Sequence, residues 1–316
     1  MLPRLNLADQ LSAFLGVPTE DIFQLAVTKS KLYKLYEKPK KNGGTRKILH
    51  PCRELKALQY ALCEIVLNWF SVHPIAYAYV FGKKSPLKAS AELHAPFRYT
   101  IRIDFKDFFP SIKPVDLIGV VKEKFDLSPS DRLLLTQIMF YSGNLKIAGQ
   151  PFLPIGAPTS PPVSNIVMRV LDNAFEAISK DLDQESSITR YADDLYFSTN
   201  EKGLCRSFYH EVDNLLRNTA SPVLRINENK TLYLSRGTRR VVNGLFVTPK
   251  GEVSIGRERK IQIKTLIYKH SKQRLPDEDL KKAQGLLAFI QDCEPDFYNR
   301  LAQKYGEAFY SIKDAR

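Results

Sequence analysis

The sequence predicts an α+β fold, and three observations carry that reading. Residues 99–104 (YTIRID) alternate as a strand does, with Tyr99, Ile101 and Ile103 on one face and Thr100, Arg102 and Asp104 on the other. Residues 188–198 (ITRYADDLYFS) read as two short strands about a tight acidic turn. Residues 54–70 and the chain from Arg257 onward follow the helical period. A length of 316 residues suits two or three subdomains rather than one small core. With 44% hydrophobic and 26% charged residues, the composition is that of an ordinary globular protein.

The elements follow in order. Residues 1–30 read as helical, with Pro18-Thr19-Glu20-Asp21 as a helix start. Two short strands, Leu32–Tyr36 and Arg46–Leu49, flank a basic, Gly-bearing turn from Lys38 to Thr45. Glu54–Phe70 is an amphipathic helix, with Leu55, Leu58, Leu62, Ile65 and Trp69 on its apolar face. Ile75–Pro96 reads as a loop. The strand at 99–104 runs into DFKDFFPS, where Pro110 would stop it and Ser111 could cap a following helix. Residues 114–142 read as two helices, 151–162 as a Pro- and Gly-rich turn, and 162–180 as a further helix. After the acidic hairpin come a helix at 201–218 and strands near 223–226, 231–235, 241–247 and 253–255. The helical pattern then runs to the end, broken at Pro276 and Pro295.

Charge narrows the class of partner. Lys and Arg number 47 against 34 Asp and Glu, a net +13, and a globular chain this basic usually meets a polyanion. Ten Lys/Arg and two Glu fall between Lys29 and Lys56, and thirteen Lys/Arg and three Glu between Arg225 and Arg274. Those windows together carry +18, so the remainder is net acidic by about five. Charge runs are usually solvated faces, but both windows interleave aromatics such as Tyr33, Tyr36, Tyr233 and Phe246, which favours nucleic acid. The four Cys form no C-x-x-C and the five His are scattered, which opposes a zinc site and fits a reduced cytosol. No uncharged apolar run is long enough for a membrane span, and Arg4 and Asp9 oppose a signal peptide, so a membrane partner is not expected.

The acidic turn is the sharpest chemical feature. Asp193 and Asp194 stand side by side at a hairpin tip, where their repulsion is costly unless a cation neutralises them. Asp-Asp is also a common turn dipeptide. Apolar and aromatic flanks (Tyr191, Leu195, Tyr196, Phe197) imply that this turn is buried, and a buried acidic pair calls for a divalent ion. Asp104 ends the 99–104 strand and supplies a third carboxylate; alone it reads as a strand-end cap. Three such carboxylates can hold two Mg²⁺ ions for in-line phosphoryl transfer.

With these motifs in view, the chain resembles a reverse transcriptase, and within that group a bacterial retron reverse transcriptase. The likeness runs through TRKILHPCRELKALQ, IRIDFKDFFPSI, PIGAPTSPPVSN, RYADDLYFS, LRINENKT and VVNGLFVTPKG, in order. It implies a right-hand polymerase fold. Fingers would occupy 1–98, palm 99–113, a helical insert 114–150, palm again 151–250 and a helical thumb 251–316. The palm would be an antiparallel sheet with helices on one face.

The resemblance also implies roles for single residues. Asp104, Asp193 and Asp194 match the catalytic metal carboxylates, with Asp104 and Asp193 the firmer ligands. Lys230 matches a lysine near the leaving pyrophosphate, although a plain exposed Lys reads the same. Arg46 and Lys47 match triphosphate contacts; Lys47 reads equally as surface charge. Phe105, Phe109, Gly156 and Ala157 match the nucleotide pocket, with Phe109 excluding a 2′-hydroxyl or packing on Phe108. Backbone N–H groups and hydroxyls from Gly156 to Ser160 would supply polar contacts. Ile155 stands where the family carries Gln, so that contact does not transfer. Ser90-Ala91-Glu92-Leu93-His94 resembles the retron element N-A-x-x-H with Ser for Asn. Val242-Asn243-Gly244 resembles V-T-G with Asn for Thr. His94 also reads as a satisfied loop histidine, and Asn243-Gly244 as a plain hairpin turn.

For partners, the likeness implies dNTPs and a cognate structured non-coding RNA of the msr–msd type. A guanosine 2′-hydroxyl within that RNA would prime synthesis of a branched RNA–DNA product. An effector protein in an anti-phage system is implied by the same route. Arg239, Arg240, Asn243, Arg257, Arg259, Lys260 and Lys264 are the expected RNA contacts, the last four on one helix. The region after 251 is too short for an added nuclease domain, so removal of the RNA strand would fall to a separate activity. Two rivals stand beside this reading: an intron-encoded or diversity-generating reverse transcriptase, and a non-catalytic RNA-binding scaffold.

Overall fold

A computed structural model describes residues 2–28, 32–39, 43–143 and 150–315. Lys40, Lys41 and Asn42, in the centre of the expected basic turn, lie outside the described residues. Two helices, α1 (Leu7–Leu15) and α2 (Thr19–Val27), precede a two-stranded ribbon of β1 (Tyr33–Pro39) and β2 (Thr45–Pro51). Helix α3 (Arg53–Ile65) follows, with Leu55, Leu58 and Leu62 buried. It stops sooner than its periodicity suggests, and Trp69 is 60% exposed rather than in the core. The stretch expected to be a loop contains α4 (Pro86–His94). Pro86 occupies its first turn, where a missing N–H costs nothing, so here Pro starts a helix.

Strand β3 (Tyr99–Asp104) is central in a four-stranded antiparallel sheet ordered β4-β5-β3-β6, with β4 at Ser187–Tyr191, β5 at Asp194–Thr199 and β6 at Leu232–Ser235. Between β3 and β4 run α5 (Phe108–Ser111), α6 (Pro114–Val121), α7 (Pro129–Met139) and α8 (Ser160–Leu182). Pro110 and Ser111 lie inside α5, and Lys113 rather than Ser111 precedes α6. Helix α9 (Leu204–Asn218) links β5 to β6. Residues 223–226 form no strand, only a bridge from Ile226 to Phe105.

The alternation of β3 sorts its side chains between two different interiors. Ile101 and Ile103 join Phe175, Leu195, Phe197 and Phe208 in a large core, where the rings of Phe197 and Phe208 stack at 4.3 Å. Each such side chain contributes roughly 1.5–3 kcal/mol by leaving water. The opposite face is buried too, but under polar groups: Thr100, Thr189 and Ser198 are fully inaccessible beneath α4. A second core holds the C-terminal part. Strands β7 (Arg240–Val242), β8 (Leu245–Val247) and β9 (Val253–Ser254) form a small sheet, followed by α10 (Arg257–Ser271), α11 (Asp277–Cys293), α12 (Pro295–Tyr305) and α13 (Glu307–Asp314). Its apolar cluster reaches back to Ala91 and Ala95 at the end of α4 and to Tyr196 of β5, so α4 joins the two bodies. Among the described residues no helix is long and apolar enough to cross a membrane.

Candidate active site

The acidic turn is built by a short two-residue connection and fastened from behind. Tyr191 pairs with Asp194 across β4 and β5, leaving Ala192 and Asp193 as the tip. Ala192 adopts a left-handed φ of 57° and is buried. Arg190, with no exposed surface, donates from Nε and Nη2 to the two carboxylate oxygens of Asp172 on α8 at 2.6 and 2.7 Å. Its Nη1 donates to the Ala192 carbonyl at 3.2 Å, and its Nη2 to Asn165 Oδ1 at 3.2 Å. A bidentate, fully buried pair of this kind holds one geometry. Here it holds the backbone of the acidic tip against α8. Asp172 and Asn165 gave no signal in the sequence, because one Asp and one Asn inside a helical pattern look like surface residues.

Sheet register brings Asp104 to the same place. Asp104 lies directly opposite Asp194, and the Phe105 N–H donates to the Asp193 carbonyl at 2.9 Å. The Asn227 N–H donates to the Asp104 carbonyl at 2.8 Å, which carries Lys230 into the site. Lys230 Nζ stands 3.2 and 3.3 Å from the two oxygens of Asp104. Arg102, two residues before Asp104 on the same face of β3, sits 3.5 Å from Asp194 Oδ1. That approach is close enough for attraction but too misaligned for a hydrogen bond, since both atoms are buried and unbonded. Burial pushes Asp193 above the usual carboxylate range, helped by the charge of Asp104. Burial likewise pushes Asp194 up to about 7, the pull of Arg102 being opposed by Asp193 and Asp104.

Three carboxylates thus share one desolvated corner with too little positive charge. Oxygen donors of this kind suit a hard divalent cation, and the unbonded Asp194 oxygen is a free ligand position. Among the described residues, however, no three metal-ligating side chains close around one point as they stand. Asp104 is paired with Lys230 and Asp194 lies beside Arg102.

A cleft of about 320 Å³ is lined by His50, Lys56, Tyr79, Phe109, Gly156 and Ala157 among others, and the charge of Asp193 reaches Tyr79 on its wall. Gly156 has φ of 115°, and a Cβ there would sit 2.8 Å from both Ile48 Cγ2 and the Leu49 carbonyl oxygen. Only glycine lets this turn lie so close to β2, where the Leu49 N–H donates to the Ile155 carbonyl at 2.8 Å. Phe109 lines the cleft with its ring 6.3 Å from that of Tyr79 and 5.3 Å from Phe108, so it packs and faces the opening at once. Arg46 and Lys47 are exposed on β2, and the charge of Arg46 acts on Asp193. Tyr79, which sequence reasoning passed over, carries a strained φ of 60° at the cleft wall.

Several expected contacts are corrected. The Phe105 ring is 1% exposed and stacks on Phe175, so this side chain is core and only its backbone serves the site. Ser160 lines the cleft but donates its hydroxyl to the Pro154 carbonyl at 2.6 Å, and Thr159 is fully buried. Arg240 is 1% exposed and caps the carbonyls of His94, Ala95 and Phe97, which removes it from any RNA surface. Asn243 points its amide at Ser90. Arg259 donates to the Gly244 carbonyl at 2.8 Å, and Lys260 pairs with Glu294 at 2.9 Å. Arg239, Arg257 and Lys264 remain exposed, the first over the Phe246 ring and the last near Phe297.

A family model for reverse transcriptase (RNA-dependent DNA polymerase) matches residues 38–269. The retron Ec83 reverse transcriptase of Escherichia coli is 35% identical over 277 residues, covering 87% of this chain and 88% of the relative. The Ec73 retron enzyme of the same organism is 34% identical, over 89% and 88%. The Ec86 enzyme is 28% identical, over 97% and 92%. Among solved structures, a Candida albicans telomerase bound to a fragment of telomeric RNA aligns with a TM-score of 0.48 at 12% identity, over 93% of this chain and 62% of that one. By the family match across most of its length and by relatives at this identity, the chain belongs to the reverse transcriptases, the RNA-directed DNA polymerases, and to their retron branch.

Proposed function

We propose that this chain copies part of a cognate, structured msr–msd-type RNA into DNA, starting from an internal guanosine 2′-hydroxyl, to give a branched RNA–DNA product. The observation that carries the reading is the register of β3 against β5, which sets Asp104 opposite Asp194 and ties Phe105 to Asp193. Fingers at 1–98, palm at 99–113 and 151–250, an insert at 114–150 and a thumb at 251–316 describe this division of labour. A cytosolic anti-phage system with an effector protein is the setting the resemblance implies.

In this reading Asp104, Asp193 and Asp194 hold two Mg²⁺ ions. Bound there, magnesium supplies the charge that lowers the pKa of an attacking hydroxyl and steadies a leaving pyrophosphate. The protein does the rest by position. The Arg190–Asp172 pair fixes the acidic tip. Lys230, within reach of Asp104, supplies an ammonium that can hand a proton to the pyrophosphate side. Arg46 and Lys47 would approach the triphosphate of a dNTP, and the cleft lined by Gly156, Ala157 and Phe109 would receive its sugar, with Phe109 excluding a 2′-hydroxyl. Exposed Arg239, Arg257 and Lys264 contribute phosphate contacts to the RNA.

Asp193→Asn keeps the size and hydrogen-bonding capacity of the side chain but removes its charge. Primer extension with purified protein is expected to disappear, while binding of the co-purifying RNA stays within about twofold. Sequencing that nucleic acid should return a folded RNA joined through a 2′ position to DNA. Persistent DNA synthesis by the variant would sink the catalytic assignment, and a scaffold role would follow from RNA binding with no synthesis by the unaltered chain.

A further inference from the structure

The two retron-type elements meet in space, although Ser90 and Asn243 stand 153 residues apart in the chain. Asn243, at the tip between β7 and β8, donates its Nδ2 to Ser90 Oγ on α4 at 2.8 Å. Ser90 Oγ lies 3.0 Å from Thr189 Oγ1, and that oxygen lies 2.8 Å from His94 Nε2. His94 Nδ1 lies 2.8 Å from Ser198 Oγ, which is 2.7 Å from Thr100 Oγ1. One order of donors uses each hydroxyl once: amide to Ser90, Ser90 to Thr189, Thr189 to His94, His94 to Ser198, Ser198 to Thr100. Apart from Asn243, every member is buried. Within it each missing partner would leave a neighbour unpaired away from water, as Asn243 Oδ1 at its end already is.

The same turn is gripped twice more. The Asn243 N–H donates to the Tyr196 phenol at 3.2 Å, and Arg259 of α10 holds the Gly244 carbonyl. The Tyr196 phenol lies against Arg102, whose guanidinium faces Asp194. The Val242–Gly244 turn is therefore the joint at which the C-terminal helical body, α4 and the carboxylate-bearing face of the sheet come together. The pairing also accounts for both departures from the elements this chain resembles. N-A-x-x-H with V-T-G puts an amide on the helix and a hydroxyl on the turn; here Ser90 and Asn243 put the hydroxyl on the helix and the amide on the turn. In this chain the amide and the hydroxyl bond each other.

We infer that Ser90 and Asn243 form a latch that fixes the C-terminal helical body against the palm sheet and so positions primer–template over Asp104, Asp193 and Asp194. They are positioning residues, and the inference rests on the polymerase reading of those carboxylates. Asn243 stands at a left-handed φ of 49°, a conformation Asn tolerates, so the informative variants keep small polar groups. Ser90→Asn leaves two amides and Asn243→Ser leaves two hydroxyls; together they restore one of each.

The test is steady-state extension by the full chain on an RNA template with an annealed DNA primer, for both single variants and the double. Each single is expected to raise KM for primer–template about fivefold with kcat within about twofold, and the double to recover most of that loss. Hydrogen exchange at the backbone N–H of position 243, which needs no catalysis, should quicken in the singles and slow again in the double. A double variant no better than the sum of its parts, or losses confined to kcat, would overturn the latch. Synthesis surviving Asp193→Asn would instead overturn the reading beneath it, and the exchange measurement would still judge the latch.

Discussion

At the scale of single residues, burial decides what a side chain is for. Arg240 and Arg239 are neighbours in a basic run, yet one caps three carbonyls in the interior and the other lies exposed over Phe246. Phe105 and Phe109 divide in the same way, the first into the core and the second into the cleft wall. His94 shows the consequence most directly. Its burial, reinforced by the charge of Arg240, holds the imidazole down to about 3, well below its ordinary 6.5. The unfolded chain takes up a proton below 6.5, whereas the folded one refuses it until about 3. Stability from this group is complete above 6.5 and drains away as the pH falls through that window. Thermal melts at about pH 7 and about pH 5 should therefore show a larger fall in Tm for the unaltered protein than for His94→Gln. Equal falls would mean that the ring is already accessible to protons.

Elements matter here as carriers of pairs. Strand β3 delivers Arg102 and Asp104 to one face at a spacing of two, and β5 delivers Asp194 opposite. Helix α8 contributes Asp172 and Asn165, two turns apart, to the one guanidinium that holds the acidic tip. Removing one partner of such a buried pair strands the other charge. Asp172→Ala is expected to cost about 3–5 kcal/mol of folding stability, readable by urea denaturation. A cost under about 1 kcal/mol would mean that water reaches Arg190. The β7–β8 turn acts at this scale too, since three elements converge on its two residues, Asn243 and Gly244.

For the whole molecule, the two basic windows need not act as two binding surfaces. Three of the thirteen Lys and Arg in the second one, Arg240, Arg259 and Lys260, are spent on internal work. The other ten face solvent, Arg239, Arg257 and Lys264 among them. Replacing these three by Gln should weaken binding of single-stranded RNA and reduce the slope of log K against log salt by roughly 0.7 for each phosphate no longer neutralised. Fluorescence anisotropy between low and moderate salt measures it. Arg240→Gln should instead lower Tm and leave that slope unchanged. A fall in the slope for Arg240→Gln would return it to the RNA surface.

Much was legible in the residues alone, because covalent spacing fixes local geometry. The period-two pattern of 99–104 set Asp104 on a strand face, the apolar flanks of Tyr191-Ala192-Asp193-Asp194 marked a buried hairpin, and the order of motifs marked the family. Helix α4 was hidden because Pro86 reads as a breaker when its position in the turn is unknown. The roles of Asp172, Arg240, Ser90 and Asn243 were hidden for a different reason. Each depends on a partner 18 to 153 residues away, and a polar side chain advertises its charge but not its partner. Only the folded chain, by removing water from those groups, decided which of them hold the site together.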